Sequence, residues 1–249
     1  MNMILRTVFS LWLCILPFSA SAEKTPWYQI EMLVFANKDP GVLDDEFWPR
    51  KVDIAHQSNA VRLRPPMQNA AAYDAYELLP TSSLLLNEEK QRITRHHRYR
   101  VLYHAGWLQP VEQQKRARPI HIQAGNVLDN GMYELEGYVT VDRGRYLHFK
   151  PDLYHSRKLS AGESSLLQEF LNAGDQPAIV VPADAAQGTD TLRPLPATQV
   201  SNSFIEVPEF LTVNLKQGRR MRSEEIHYLD HPLMGVMVLM LPVNPDKKF

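Results

Sequence analysis

The stretch Arg219 to Pro242, RRMRSEEIHYLDHPLMGVMVLMLP, decides how this chain folds. From Gly235 to Leu241 every residue is apolar, so a strand built from it must bury both of its faces and lie inside a sheet. The half before it is different in kind. Arg222, Glu224, Glu225, His227, Asp230 and His231 crowd ionisable groups ahead of Asp230-His231-Pro232, where Pro232 holds His231 extended and marks a turn. A polar corner therefore runs directly into a buried strand, and the rest of the chain has to supply neighbours on both sides of that strand.

Working outward, Trp27 to Ala36 reads as a strand with one end buried on both sides. Tyr28, Ile30, Met32, Val34 and Ala36 form one apolar face, while the other begins polar at Gln29 and Glu31 and turns apolar at Leu33 and Phe35. Asn37 to Arg64 is a long connection rich in Asp, Pro and the aromatic Phe47-Trp48-Pro49, closed by Pro65-Pro66. The spacing predicts a helix over 84–98, with Leu86, Ile93 and His97 on the inner face and Arg92, Arg95 and Arg98 solvated. Tyr99 to Leu108 follows as a strand.

Between Met132 and Leu153, the turn Asp142-Arg143-Gly144 joins two strands, with Val139, Val141, Leu147 and Phe149 inward and a wet face carrying Glu134, Glu136, Tyr138, Thr140, Tyr146, His148 and Lys150. Ser160 and Glu163 are spaced as a capping box for a helix through Leu171, with Gly174 as its stop. The four prolines of 175–199 mark a surface excursion, drawn as a variable stretch at about 156–200. Ile205, Val207, Leu211, Val213 and Leu215 then share a strand face, and Gln217-Gly218-Arg219 reads as a turn. These elements predict an α+β fold: a single domain with a mainly antiparallel, twisted sheet of about six to eight strands and two or three helices on one side. Two lobes dividing near residue 115 are the alternative.

Composition limits function. At 249 residues, 44% hydrophobic, 22% charged and a net charge of -1, the chain is ordinary globular material. Residues 1–22 read as a signal peptide, with Arg6 as the positive region, an apolar run from Thr7 to Phe18 that is shorter than the roughly 20 residues of a spanning helix, and the cleavage pattern Ala20-Ser21-Ala22. The mature chain, 23–249, would reside in the periplasm and not span the membrane. It would lack cysteine, since Cys14 is the only one, which excludes a disulfide scaffold, a thiol nucleophile and cysteine-bound metal. With 28 acidic residues against 26 basic ones once Arg6 is removed, there is no field to draw nucleic acid.

The segments WYQIEMLVFAN (27–37), YRVLYHAGW (99–107), GYVTVDRGRYLHFKPDLYH (137–155) and the closing RRMRSEEIHYLDHPLMGVMVLMLP resemble the CsiV family of periplasmic peptidoglycan-binding proteins needed for cell-shape integrity. The likeness covers most of the mature chain. It implies a non-catalytic role: binding peptidoglycan and supporting a class A penicillin-binding protein through the outer-membrane lipoprotein that activates it. It brings no residue-level site and no cofactor.

The residues themselves leave three functions to weigh: a peptidoglycan-binding accessory protein, a metal-dependent wall hydrolase, and an envelope-assembly adaptor that binds only protein. His227, Asp230 and His231 would share one face of a helix and could then hold zinc or iron, but Pro232 and the apolar run behind it make this a strand and turn. Tyr228 also stands where a helical zinc protease carries its glutamate. His227, Asp230, His231 and Pro232 are accordingly expected to form a structural, hydrogen-bonded corner with no metal. No Gly-x-Ser-x-Gly elbow or phosphate loop is present. Glu224 and Glu225 point to opposite faces of a strand, which argues against a glycosidase pair. Peptidoglycan presents peptide carboxylates that guanidinium groups grip and sugar faces that stack on rings. The ligand-binding candidates are therefore Arg92, Arg95 and Arg98, Arg219, Arg220 and Arg222, and Trp48, with Trp107 assigned to the core.

Overall fold

The structure is a computed structural model, which describes residues 25–38, 54–65, 74–174 (170–174 by backbone only) and 207–245. In chain order the elements are β1 (Trp27–Asn37), β2 (Val61–Arg62), β3 (Glu77–Leu78), a 3-10 turn (Thr81–Ser83), α1 (Asn87–Arg95), β4 (Tyr99–Pro110), β5 (Ile120–Val127), β6 (Tyr133–Arg143), β7 (Leu147–Lys158), α2 (Ala161–Gly174), β8 (Phe210–Lys216), β9 (Arg219–Met221), β10 (His227–His231) and β11 (Met234–Val243).

The strands form two sheets, not the single sheet expected. The first has the order β10-β11-β1-β4-β3; the second has β2-β5-β6-β7-β8, with β9 also on β7. Every pairing of named strands is antiparallel except β2 with β5. The chain does change sheets near residue 115, between β4 and β5. It then returns, because β10 and β11 rejoin the first sheet.

Two-sided burial explains the extra sheet. Ile30, Met32, Val34 and Ala36 of β1 and Val236, Val238 and Met240 of β11 merge with Ile122, Val139, Phe149, Leu153 and Val213 of the second sheet into one apolar cluster. The other face of β1 and β11 offers Leu33, Phe35 and Leu239, which α1 covers with Ile93 and the preceding Leu86. Burying each such side chain is worth about 1.5–3 kcal/mol, so β1 and β11 stabilise two interfaces at once. β11 is an internal strand, as its unbroken apolar run requires.

Helices do not share one side: α1 lies on the outer face of the first sheet, whereas α2 joins the inter-sheet cluster through Leu167. Two α-helices occur among the described residues. α1 is shorter than the predicted 84–98, since His96 turns extended and leaves His97 exposed instead of inward. α2 carries the expected capping box, with Ser160 N donating to Glu163 Oε2 (2.8 Å) and Glu163 N to Ser160 Oγ (3.3 Å). Residues 156–158 still belong to β7, so the excursion begins later than drawn, and its stretch 175–206 lies outside the described residues. Gln217-Gly218 is not a reversing turn. Lys216 pairs with Asp152 and Arg219 with Phe149, the same register continued along one edge of β7.

Candidate functional site

The polar corner is held by backbone contacts. His231 Nδ1 accepts the Leu233 N–H at 3.2 Å, and His227 Nε2 accepts the Arg222 N–H at 2.9 Å. Asn37 donates from its side chain to Pro232 O (3.0 Å) and from its backbone to Leu233 O (2.9 Å), which joins the β10–β11 turn to the end of β1. Four residues apart on a strand, His227 and His231 are separated by roughly 13 Å, too far to chelate one ion. Among the described residues no group of three His, Cys, Asp or Glu side chains could hold a metal.

On the face of the first sheet that α1 covers, aromatic rings meet in succession around the buried Phe35. Tyr228 stacks on Phe35 (6.2 Å between centroids), Phe35 meets Tyr99 edge-on (5.3 Å), Tyr99 lies 5.1 Å from His96, and His96 stacks on His97 at 5.1 Å. Gly235 makes the stack possible. It sits opposite Phe35, and a Cβ there would come within 2.4 Å of Phe35 Cζ and 2.8 Å of Tyr228 Cε2. Tyr228 remains 41% exposed; burial, then its hydrogen bond to Asp230 (2.7 Å), holds its hydroxyl well above the ordinary phenol range.

Arg92 and Arg95 in the last turn of α1, and Arg98 just beyond it, are exposed, with Arg95 and Arg98 flanking His96-His97 in the chain. Arg92 makes a surface pair with Glu88 at 3.5 Å. Arg219 and Arg220 are on β9 of the second sheet, whereas Arg222, just past it, is bonded through its N–H to His227 of β10. Arg220 lies over the Tyr146 ring (3.3 Å to the centroid) with Arg145 at 5.5 Å, while Arg222 pairs with Glu225 at 3.6 Å. β9 faces Leu147–Phe149 at the start of β7, roughly 20 Å along that strand from His155. Arg92, Arg95 and Arg98 thus adjoin the first sheet, and Arg219 and Arg220 the second. Trp48 lies outside the described residues, and Trp107 is fully buried, its Nε1 donating to Gln109 Oε1 at 2.8 Å.

Several polar residues predicted to be wet are buried. On the outer face of the β6–β7 hairpin, Glu134 binds Arg100 and accepts the Asn126 N–H (2.7 Å), and Asp142 pairs with Lys150. Tyr138 stacks on His121 (5.1 Å) and accepts the Gln57 N–H at 3.2 Å. The polar end of β1 is likewise covered. Glu31, 1% exposed, accepts the N–H groups of Leu85 (2.7 Å) and Leu86 (2.8 Å) and faces His104 Nε2 at 2.7 Å. It thus caps the start of α1, where the first turn's N–H groups lack helical partners. Neither Glu31 nor Glu134 carries a local signal of burial, because the Glu31 partners and Arg100 lie more than thirty residues away; only a charged residue on a strand otherwise buried on both sides hints at one.

Exposed guanidinium groups and partly exposed rings thus sit on a two-sheet frame. The chain belongs to the CsiV family, described as "Peptidoglycan-binding protein, CsiV", whose match spans residues 6–243, nearly the whole chain. That family is described by its ligand, a polymer of the cell envelope, and not by a reaction. Comparison with curated proteins and with solved structures finds no match. No described helix is long and apolar enough to cross a membrane.

Proposed function

We propose that this protein acts in the periplasm as a non-catalytic peptidoglycan-binding protein, supporting cell-wall synthesis by a class A penicillin-binding protein through its outer-membrane lipoprotein activator. Family membership supports the ligand, and the signal-peptide pattern of residues 1–22, which lie outside the described residues, supports the compartment. The observation that carries the binding surface is the pair of exposed rings Tyr228 and His96, joined through the buried Phe35 and the half-buried Tyr99, on the same sheet as the exposed Arg92, Arg95 and Arg98. Sugar faces stack on such rings, and exposed guanidinium groups take peptide carboxylates bidentately.

Sedimentation with purified sacculi at low and high salt tests it. Replacing Arg92, Arg95 and Arg98 together with alanine should weaken binding and flatten its salt response, while stability changes by no more than about 0.5 kcal/mol per exposed site. The triple alanine variant of Arg219, Arg220 and Arg222 should bind nearly as wild type does. Unchanged binding in the first variant with loss in the second would move the surface to the Tyr146 end of the second sheet. Failure of the wild type to sediment would remove the wall-binding reading. Release of muropeptides that stops with a chelator would favour the hydrolase instead. Co-purification with the lipoprotein activator tests the partner separately, and binding to it without binding to sacculi would favour the protein-only adaptor.

A further inference from the structure

Where the end of β1 and the start of β4 meet β7 and α2 lies a cleft of about 310 Å³ lined by Lys38, Arg100, His155, Arg157, Ser160 and Glu163 among others. Ala36 pairs with Arg100, and Lys38 N donates to Arg98 O at 2.7 Å, so the end of β1 and the start of β4 form one wall of the cleft, on the face of the first sheet opposite to the Tyr99 ring. Its volume is at the small end of ligand sites, which run from about 300 to 1,000 Å³, and suits the end of a chain more than a sugar.

The polar groups differ in what they have left to offer. Arg157 is committed to Glu163, with contacts of 2.9 and 2.6 Å, and Ser160 donates to the same carboxylate from both N and Oγ. That side of the cleft is a closed wall, and the start of α2 is already capped. Arg100 spends Nη2 on Glu134 and is 40% exposed, so further guanidinium N–H groups remain. Lys38 is exposed and makes no ion pair among the described residues.

His155 supplies the opposite polarity. It is 2% exposed, and its Nδ1 sits 2.8 Å from the Glu134 carbonyl oxygen, which can only accept; Nδ1 therefore carries the proton and Nε2 a lone pair. Burial first, with the nearby Arg100 and Arg157 adding to it, lowers the ring's pKa to about 4, so Nε2 stays an acceptor at neutral pH. Two cationic donors beside one buried acceptor call for a ligand that presents a carboxylate and, within one residue of it, an N–H. The C-terminal residue of a peptide has that arrangement.

Resting on the wall-binding reading, we propose that this cleft receives the free carboxyl end of a peptidoglycan stem peptide, with Lys38 and Arg100 gripping the carboxylate and His155 Nε2 accepting the terminal residue's N–H. The test is titration of the protein, followed by NMR, with N-acetyl-D-alanyl-D-alanine, its C-terminal amide, and acetate. The acid should bind at least tenfold more tightly than the amide or acetate. Lys38→Glu should weaken the acid at least tenfold, Lys38→Arg should restore it, and neither should shift the melting temperature, since Lys38 is exposed. Equal binding of acid and amide, or an acid affinity indifferent to Lys38→Glu, would overturn the proposal. Sacculus sedimentation separates the two readings. A wild type that sediments but does not distinguish acid from amide loses the cleft and keeps wall binding. Lys38-dependent dipeptide binding without sedimentation overturns the stem peptide as the ligand's source.

Discussion

Glu31→Gln is the sharpest probe of how the binding surface is held. The substitution keeps the side chain's shape in a site that is 1% exposed, but turns one carboxylate oxygen into an NH2 group. Placed at Oε1, that group would confront both the Leu86 N–H and His104 Nε2; placed at Oε2, only the Leu85 N–H. The side chain will choose the second orientation, so the part-buried Leu85 N–H loses its acceptor. Leaving such a donor unpaired costs about 1–3 kcal/mol. In a chain of this size each kcal/mol moves the melting temperature by about 2–4 °C, so a cost of about 2 kcal/mol lowers it by about 4–8 °C. Because the lost contact is at the start of α1, amide exchange at Leu85 and Leu86 should accelerate before that of the inter-sheet core. Calorimetry and hydrogen exchange measure the two effects. A melting temperature within 1 °C of wild type, with unchanged exchange at both amides, would show that α1 is seated by Leu86 and Ile93 alone and that the reasoning about Glu31 is wrong.

Gly235→Ala should cost about 1–3 kcal/mol by overpacking, because Phe35 and Tyr228 occupy the space of the new Cβ. Near-ultraviolet circular dichroism should register the displaced rings and sacculus binding should weaken; an unchanged spectrum with full binding would discount the ring row. His155, at about 4 when folded against roughly 6.5 unfolded, leaves the unfolded state holding more protons between those values. Stability should thus be undiminished above about pH 6.5 and fall as pH drops toward 4, in urea melts of wild type but much less in His155→Gln; parallel losses would refute it. Glu163, lowered to about 2 chiefly by its hydrogen bonds to Arg157, works in a lower window: its stabilisation is complete above roughly pH 4.5 and disappears toward pH 2. Glu163→Gln should flatten that second fall, and an unaltered acid limb would show that the pair contributes nothing.

Local pattern was enough for much of this protein. The unbroken apolar run of 235–241, the two faces of 28–36, the β6–β7 hairpin and the Ser160/Glu163 cap all depend on neighbours a few residues apart, and each element forms where that pattern places it. The long likeness from 27 to 242 likewise identified the family that the match over 6–243 shows. Sequence period says which side of a strand is apolar, however, and not what covers it. Whether one sheet or two would meet the faces of β1 and β11 depended on pairings more than a hundred residues apart, such as Phe35 with Gly235. The same long-range register put Glu31 under the start of α1, Glu134 against Arg100, and Tyr228 across a glycine onto Phe35. Arginines that look alike in the sequence were thereby separated between the first sheet, at α1, and the second, where Arg220 lies over Tyr146. Only the tertiary structure decides this, because a charged side chain acquires its role from partners that chain folding, and not chain order, brings within hydrogen-bonding distance.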